Sequence, residues 1–207
     1  SNIEKYPLPW DKRDIDTAMD SWITHEFDTQ WEQQDWKLSL SRAGHIPGAG
    51  MLNIDTPSKN ILFTGDFDSR DSPLTSGAKP IKTDVLFIEG TYGGKDHANQ
   101  NEELTRFIDN IIRVTDKGGT VLIPAFANGR TQDMLMRLHQ NCPELDVHVD
   151  GMGKRITKLY LENTQFIKDP KALNSAWNWC RRVASKSDRK KALDSDVIIS
   201  TLSLIHI

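Results

Sequence analysis

Apolar and polar positions follow one rhythm before about residue 92 and another after it. In residues 36–40, apolar Trp36, Leu38 and Leu40 alternate with Lys37 and Ser39, a period of two that predicts a half-buried strand. Strands are also expected over 50–54 and 60–64, and over 84–88, where an apolar run ends on Glu89-Gly90. Ahead of them, Ile15, Ala18, Met19 and Trp22 have helical spacing, which predicts a short helix over 14–22 with Asp14 as its cap. After Tyr92 the pattern alternates. A helix over 101–115 presents Leu104, Phe107, Ile108, Ile111 and Ile112 on one face and stops at Gly118-Gly119. A strand over 120–123, a helix over 129–139, a strand over 146–149, a helix over 154–161 and a strand over 196–201 follow. Strands alternating with helices imply βαβ units and a parallel sheet with helices on its faces. The fold class expected is therefore α/β, in two layouts joined near residues 91–97.

Composition narrows this only slightly. With 37 % hydrophobic and 27 % charged residues the chain is ordinary for a globular protein. The net charge of −3 gives no global attraction for nucleic acid, so any RNA contact must come from local cations or from metal ions. Cys142 and Cys180 stand far apart in no C-x-x-C pattern, which signals neither a disulfide framework nor a thiolate zinc site and fits a reducing cytoplasmic setting. The chain opens on Ser1 with no basic segment followed by an apolar one, so no secretory signal is read. Apolar runs such as 85–88 fall far short of the roughly 20 residues of a membrane span, so no membrane partner is expected.

Three residues share one topological feature. His45, Asp66 and Glu89 each lie just past the C-terminal end of an expected strand, where side chains converge while the backbone behind them stays rigid. An imidazole and a carboxylate suit zinc, and a carboxylate has oxygens enough to bridge metals. Taken singly, each has a plainer reading: a surface histidine in a Gly-rich loop, a Gly-Asp turn, a capping glutamate. Arg130 opens a helix after a strand, where a phosphate would meet free N–H groups and the positive dipole end, and it is equally a plain helix-start residue. His25, His97, His139 and His148 fit ordinary packing or exposure, and the basic run 186–191 fits a solvated helix face.

The neighbouring residues change the weighing. Ala43-Gly44-His45-Ile46-Pro47-Gly48-Ala49, Phe63-Thr64-Gly65-Asp66-Phe67 and Phe87-Ile88-Glu89-Gly90-Thr91-Tyr92-Gly93 resemble, in order and spacing, successive motifs of the metallo-β-lactamase fold in its β-CASP form. Pro124-Ala125-Phe126-Ala127-Asn128-Gly129-Arg130-Thr131-Gln132-Asp133 and Val149-Asp150-Gly151-Met152-Gly153 resemble the β-CASP signature itself. The resemblance runs over residues 14–201, and the wording of 68–94 is most similar to archaeal and bacterial members.

That resemblance implies a partial metallo-β-lactamase αββα sandwich in residues 1–92 and an incomplete, inserted, Rossmann-like β-CASP domain in 93–201. It implies a zinc-dependent ribonuclease with two metal ions, in which His45 is a metal ligand, Asp66 bridges the metals and Glu89 supports a catalytic histidine. Single-stranded RNA would be the substrate, met in part by Arg130, and the parent would work as a homodimer or in an RNA-processing complex. The family's H-x-H-x-D-H motif is absent from the chain and is expected before residue 1, with later histidine motifs expected after Thr201. The tail Leu202-Ser203-Leu204-Ile205-His206-Ile207 matches the translation of a transposase adapter used in DNA library preparation and is expected to be non-native, with His206 no ligand. Two rivals remain: a non-catalytic β-CASP scaffold, and a thioester or lactam hydrolase of the same fold, against which the β-CASP blocks argue.

Overall fold

The computed structural model describes residues 9–201, so the tail 202–207 lies outside the described residues. The architecture is α/β, with one mixed sheet and one parallel sheet. Helix α1 (Lys12–Asp20) is capped by Asp11, not Asp14, because Asp11 accepts from the Arg13 and Asp14 N–H groups while Asp14 caps back onto Asp11. No residue of α1 is buried. Strands β1 (Gln30–Gln33), β2 (Trp36–Arg42), β3 (Gly50–Asp55), β4 (Asn60–Phe63) and β5 (Val85–Phe87) form the first sheet in that order. The first four strands pair antiparallel and β5 joins β4 in parallel, with Phe63 opposite Phe87.

This sheet has a thin core of Ala43, Met51 and Leu62, and a second layer of an αββα sandwich is not found among the described residues. Its β5 edge is correspondingly apolar and open: Leu86, Phe87 and Ile88 are exposed, and Phe87 stacks on Phe63 at 4.4 Å. Such an edge favours association.

Helix α2 (Gln100–Thr115) leads into the second sheet, which comprises β6 (Val121–Ala125), β7 (Val147–Asp150), β8 (Arg181–Arg182) and β9 (Val197–Thr201). Its order is β6-β9-β7-β8 and all pairs are parallel. Helices α3 (Arg130–Asn141), α4 (Gly153–Glu162), α5 (Pro170–Trp179) and α6 (Lys186–Ala192) connect these strands, α3 and α4 where the alternating pattern predicts them and α5 as an addition to it. The core here is far larger: Ile108 and Ile111 of α2, Leu135 and Leu138 of α3, and Val147, Val149, Val197 and Ile199 of the strands are all buried together. No helix among the described residues is long and apolar enough to cross a membrane. Cys142 and Cys180 are both free and buried, and burial pushes the Cys180 thiol up to about 12.

The segment after α4 ties the two sheets together. Lys168 donates from its N–H to the Leu74 carbonyl at 3.0 Å and from Nζ to Asp71 at 2.8 Å, while Phe166 packs edge-on against Phe27. Leu74, from the loop after β4, sits in the core of the second sheet. The loops at the end of the first sheet are thereby held against the start of α3.

Candidate active site

Strand direction brings the three sequence-singled residues to one end of the first sheet. Because β2 is antiparallel to β3, and β3 to β4, strands β2, β4 and β5 all run the same way, and the loops bearing His45, Asp66 and Glu89 leave together. Backbone hydrogen bonds stitch those loops. Ala43 accepts from the Asp68 N–H at 2.9 Å, Phe87 accepts from the Thr64 N–H at 3.0 Å, and the Glu89 N–H reaches Thr64 Oγ1 at 3.3 Å. Gly65, at φ +54, makes the turn that presents Asp66.

The three side chains then differ in commitment. Glu89 is half-buried and its two oxygens accept from the Phe67 N–H at 3.2 Å and the Thr91 N–H at 3.3 Å. Hydrogen bonding from Thr91, then from Phe67, holds its carboxyl below the usual glutamate range, and the nearby His45 acts in the same direction. Glu89 is thus a fixed anion that braces two loops, and each oxygen retains a lone pair for a further donor. His45 and Asp66 are exposed and make no hydrogen bond or ion pair with any described residue. They are ready donors of the kinds zinc accepts, but among the described residues no group of three or more His, Cys, Asp or Glu is placed to hold a metal ion. The donor chemistry fits a metal; the number present does not complete a site.

Across from His45 stands the start of α3. Gly129 has φ +81, and a Cβ there would lie 2.6 Å from Ile46 Cγ2, so only glycine lets α3 abut the His45 loop this closely. A small, solvent-open cleft lies between them, lined by His45, Asp68, Arg70, Arg130, Asp133 and Arg137 among others. Most of its charges are already paired. Arg70 grips Asp68 with two hydrogen bonds at 3.0 and 2.8 Å, which lowers the Asp68 pKa. Arg137 pairs with Asp133 at 2.8 Å, almost out of solvent. Arg130 is exposed, lies within electrostatic reach of Asp68 and makes no ion pair or side-chain hydrogen bond among the described residues, so its guanidinium can meet an anion.

The two signature blocks are a single brace. The fully buried Gln132 amide reaches the Ala127 carbonyl, the Gly153 carbonyl and Thr157 Oγ1 at 2.9 to 3.2 Å, and a Cβ on Gly153 would collide with Thr131. Asp150, at the end of β7, is held by Arg189 at 2.7 Å and Lys154 at 3.5 Å. Burial works to raise its pKa, yet the Arg189 hydrogen bond and the further contacts outweigh that and leave it lowered. Sequence reading missed the roles of Asp133 and Arg137. Their i, i+4 spacing on an expected helix was the available signal. Removing Arg137 strands a buried carboxylate, so Arg137→Ala is expected to cost about 3 kcal/mol in urea unfolding. Asp133→Leu combined with Arg137→Met should cost much less, and equal losses would show that the pair is not what matters.

The other histidines pack plainly. His25 stacks on Trp31 at 3.8 Å, His139 lies 5.2 Å from Trp179, and His148 is buried in β7 beside Asp146. His97 is exposed against Tyr92. His206 lies outside the described residues.

No family model matches the chain. Comparison with curated proteins gives clear relatives. The chain is 30 % identical over 202 residues to RNase aCSPSF2 of Saccharolobus solfataricus, covering 96 % of this chain and 41 % of that protein. It is 29 % identical over 215 residues to Probable RNase MJ4 of Methanocaldococcus jannaschii, covering 99 % and 50 %. Over 133 residues it is 35 % identical to Cleavage and polyadenylation specificity factor subunit 3 of Dictyostelium discoideum, covering 63 % and 17 %. The chain spans half or less of the length of these relatives. By these relationships the chain belongs to the β-CASP group of metallo-β-lactamase-fold ribonucleases.

Proposed function

We propose that this chain is the inner part of a zinc-dependent endo- or exoribonuclease that hydrolyses single-stranded RNA with two metal ions, in mRNA 3′-end processing or RNA decay. Residues 1–92 are the latter part of the metallo-β-lactamase domain and 93–201 most of an inserted β-CASP domain, with substrate in the cleft between them. The observation that carries the reading is that His45 and Asp66, both without hydrogen bond or ion pair, stand at one sheet end, with Arg130, which makes no ion pair, across the cleft from His45. The names of the relatives, RNase and cleavage and polyadenylation specificity factor, point in the same direction.

His45 would be a ligand to one metal and Asp66 a ligand shared by both. Glu89, anionic and fixed by Phe67 and Thr91, orients a histidine contributed from outside this chain. Arg130 receives a phosphate at the α3 N-terminus, where the positive end of the helix dipole adds to its charge. When bound, the metals supply Lewis-acid activation and neutralise charge at the phosphoryl centre. The full-length protein acts in the cytoplasm as a homodimer or within an RNA-processing complex.

This assignment has a direct test on the 207-residue chain itself. Only His45 and Asp66 are assigned as ligands, whereas a catalytic zinc takes about three protein ligands. Equilibrium dialysis should therefore show weak zinc binding or none, and labelled single-stranded RNA should survive incubation with zinc. Zinc-dependent, chelator-sensitive cutting by this chain would mean that the ligands have been misassigned.

A further inference from the structure

The loop between β5 and α2 carries an aromatic pair that the metal site does not use. The rings of Tyr92 and His97 lie 4.7 Å apart at 60°, and Tyr92 remains 61 % exposed. The ring is not presented by loose chain. The Gly93 N–H donates to the Gly90 carbonyl at 3.0 Å, the Lys95 N–H to the Tyr92 carbonyl at 3.1 Å, and Asn99 caps α2 directly behind them. A turn closed on both sides thus holds an aromatic face toward solvent, an arrangement that burial does not reward.

The segment that carries the pair leads into the Arg130 cleft. Gln100, three residues after His97, lines that cleft, and so does Arg70, which lies within electrostatic reach of Tyr92. An unpaired cation in a cleft and an exposed ring on the segment that leads into that cleft are the combination that binds single-stranded nucleic acid: the cation meets the backbone, and any base has a π-face to stack. We propose that Tyr92, backed by His97, is a stacking platform for one nucleobase of a single-stranded RNA whose phosphate is received by Arg130. The proposal rests on the RNA reading given above and adds a group that holds a base of the same strand.

The test titrates the 207-residue chain with fluorescein-labelled oligouridylate at low salt and follows anisotropy. Tyr92→Ala should weaken binding about tenfold or more, and Tyr92→Phe, which keeps the ring, by less than about twofold. Arg130→Ala should weaken binding as well and flatten its salt dependence. An oligomer carrying abasic positions should bind the unmodified protein poorly and should no longer distinguish it from Tyr92→Ala. Matching circular dichroism melts guard against a folding effect. If Tyr92→Ala binds as tightly as the unmodified protein while Arg130→Ala does not, the platform is wrong and the RNA cleft stands. If the unmodified protein binds no RNA, both are wrong.

Discussion

Asp66→Ala in the full-length protein is expected to abolish RNA cleavage, a loss on the order of a thousandfold or more, while the fold stays intact. The separation follows from the site. The Asp66 side chain is exposed and makes no hydrogen bond or ion pair with any described residue, so removing it deletes no contact that stabilises the chain. In the proposed role the same carboxylate fixes both metals, so its loss removes the Lewis acid and the charge clamp together. Glu89→Gln should behave differently. Its amide can still accept one of the two backbone N–H bonds that Phe67 and Thr91 now donate, so the rate should fall by about 10- to 100-fold with metal content nearly unchanged. Single-turnover cleavage with metal analysis by mass spectrometry reads both variants. Asp66→Ala protein that cuts at the unmodified rate would refute the bridging role.

Most elements were legible because their signals are local. The period-two alternation of Trp36, Leu38 and Leu40 and the helical face of α2 needed no knowledge of the rest of the chain. Strand β1 was not legible. Its sequence, Gln30 to Gln33, buries no residue fully, and it is defined by pairing with β2 across a turn in which Gln34 takes φ +59. Gln-Asp is a poor hairpin signal beside Asn-Gly. Helix α5 did carry a signal that went unread: Asp169 caps it, Pro170 opens it, and Leu173, Ala176 and Trp177 share its buried face.

The site divides in the same way. That His45, Asp66 and Glu89 leave one end of the sheet follows from strand order, and each residue's place after a strand was visible in advance. That Arg130 is the arginine of its cleft without an ion pair was not visible, because this depends on Asp68 taking Arg70 and Asp133 taking Arg137. Both pairs are local, at i, i+2 in one loop and i, i+4 in one helix, yet which acid each arginine takes shows only once the loop and the helix stand on the same cleft.

Gly44→Ala is expected to destabilise the first sheet by about 3 kcal/mol, from left-handed backbone strain plus overpacking. Gly44 has φ +72, and a Cβ there would stand 2.4 Å from the Asp68 carbonyl oxygen and 2.6 Å from the Ala78 nitrogen. These two atoms are themselves hydrogen-bonded at 2.8 Å, so the methyl group would force that bond apart. Backbone cannot rotate away as a side chain can, and the thin core of Ala43, Met51 and Leu62 has little stability to spare. Gly48→Ala is the internal control. Gly48 has φ +86 but nothing within 4 Å of its built Cβ, so it should lose only the backbone term, about 1 kcal/mol. Urea unfolding of both variants, with hydrogen exchange at the Asp68 and Ala78 amides, separates the two contributions. Equal losses would show that the close approach at Gly44 is relieved by a small backbone shift. A much larger loss at Gly44, with early exchange at Ala78, would mean that the glycine next to His45 sets the position of the whole loop, and with it the distance from that imidazole to Asp66.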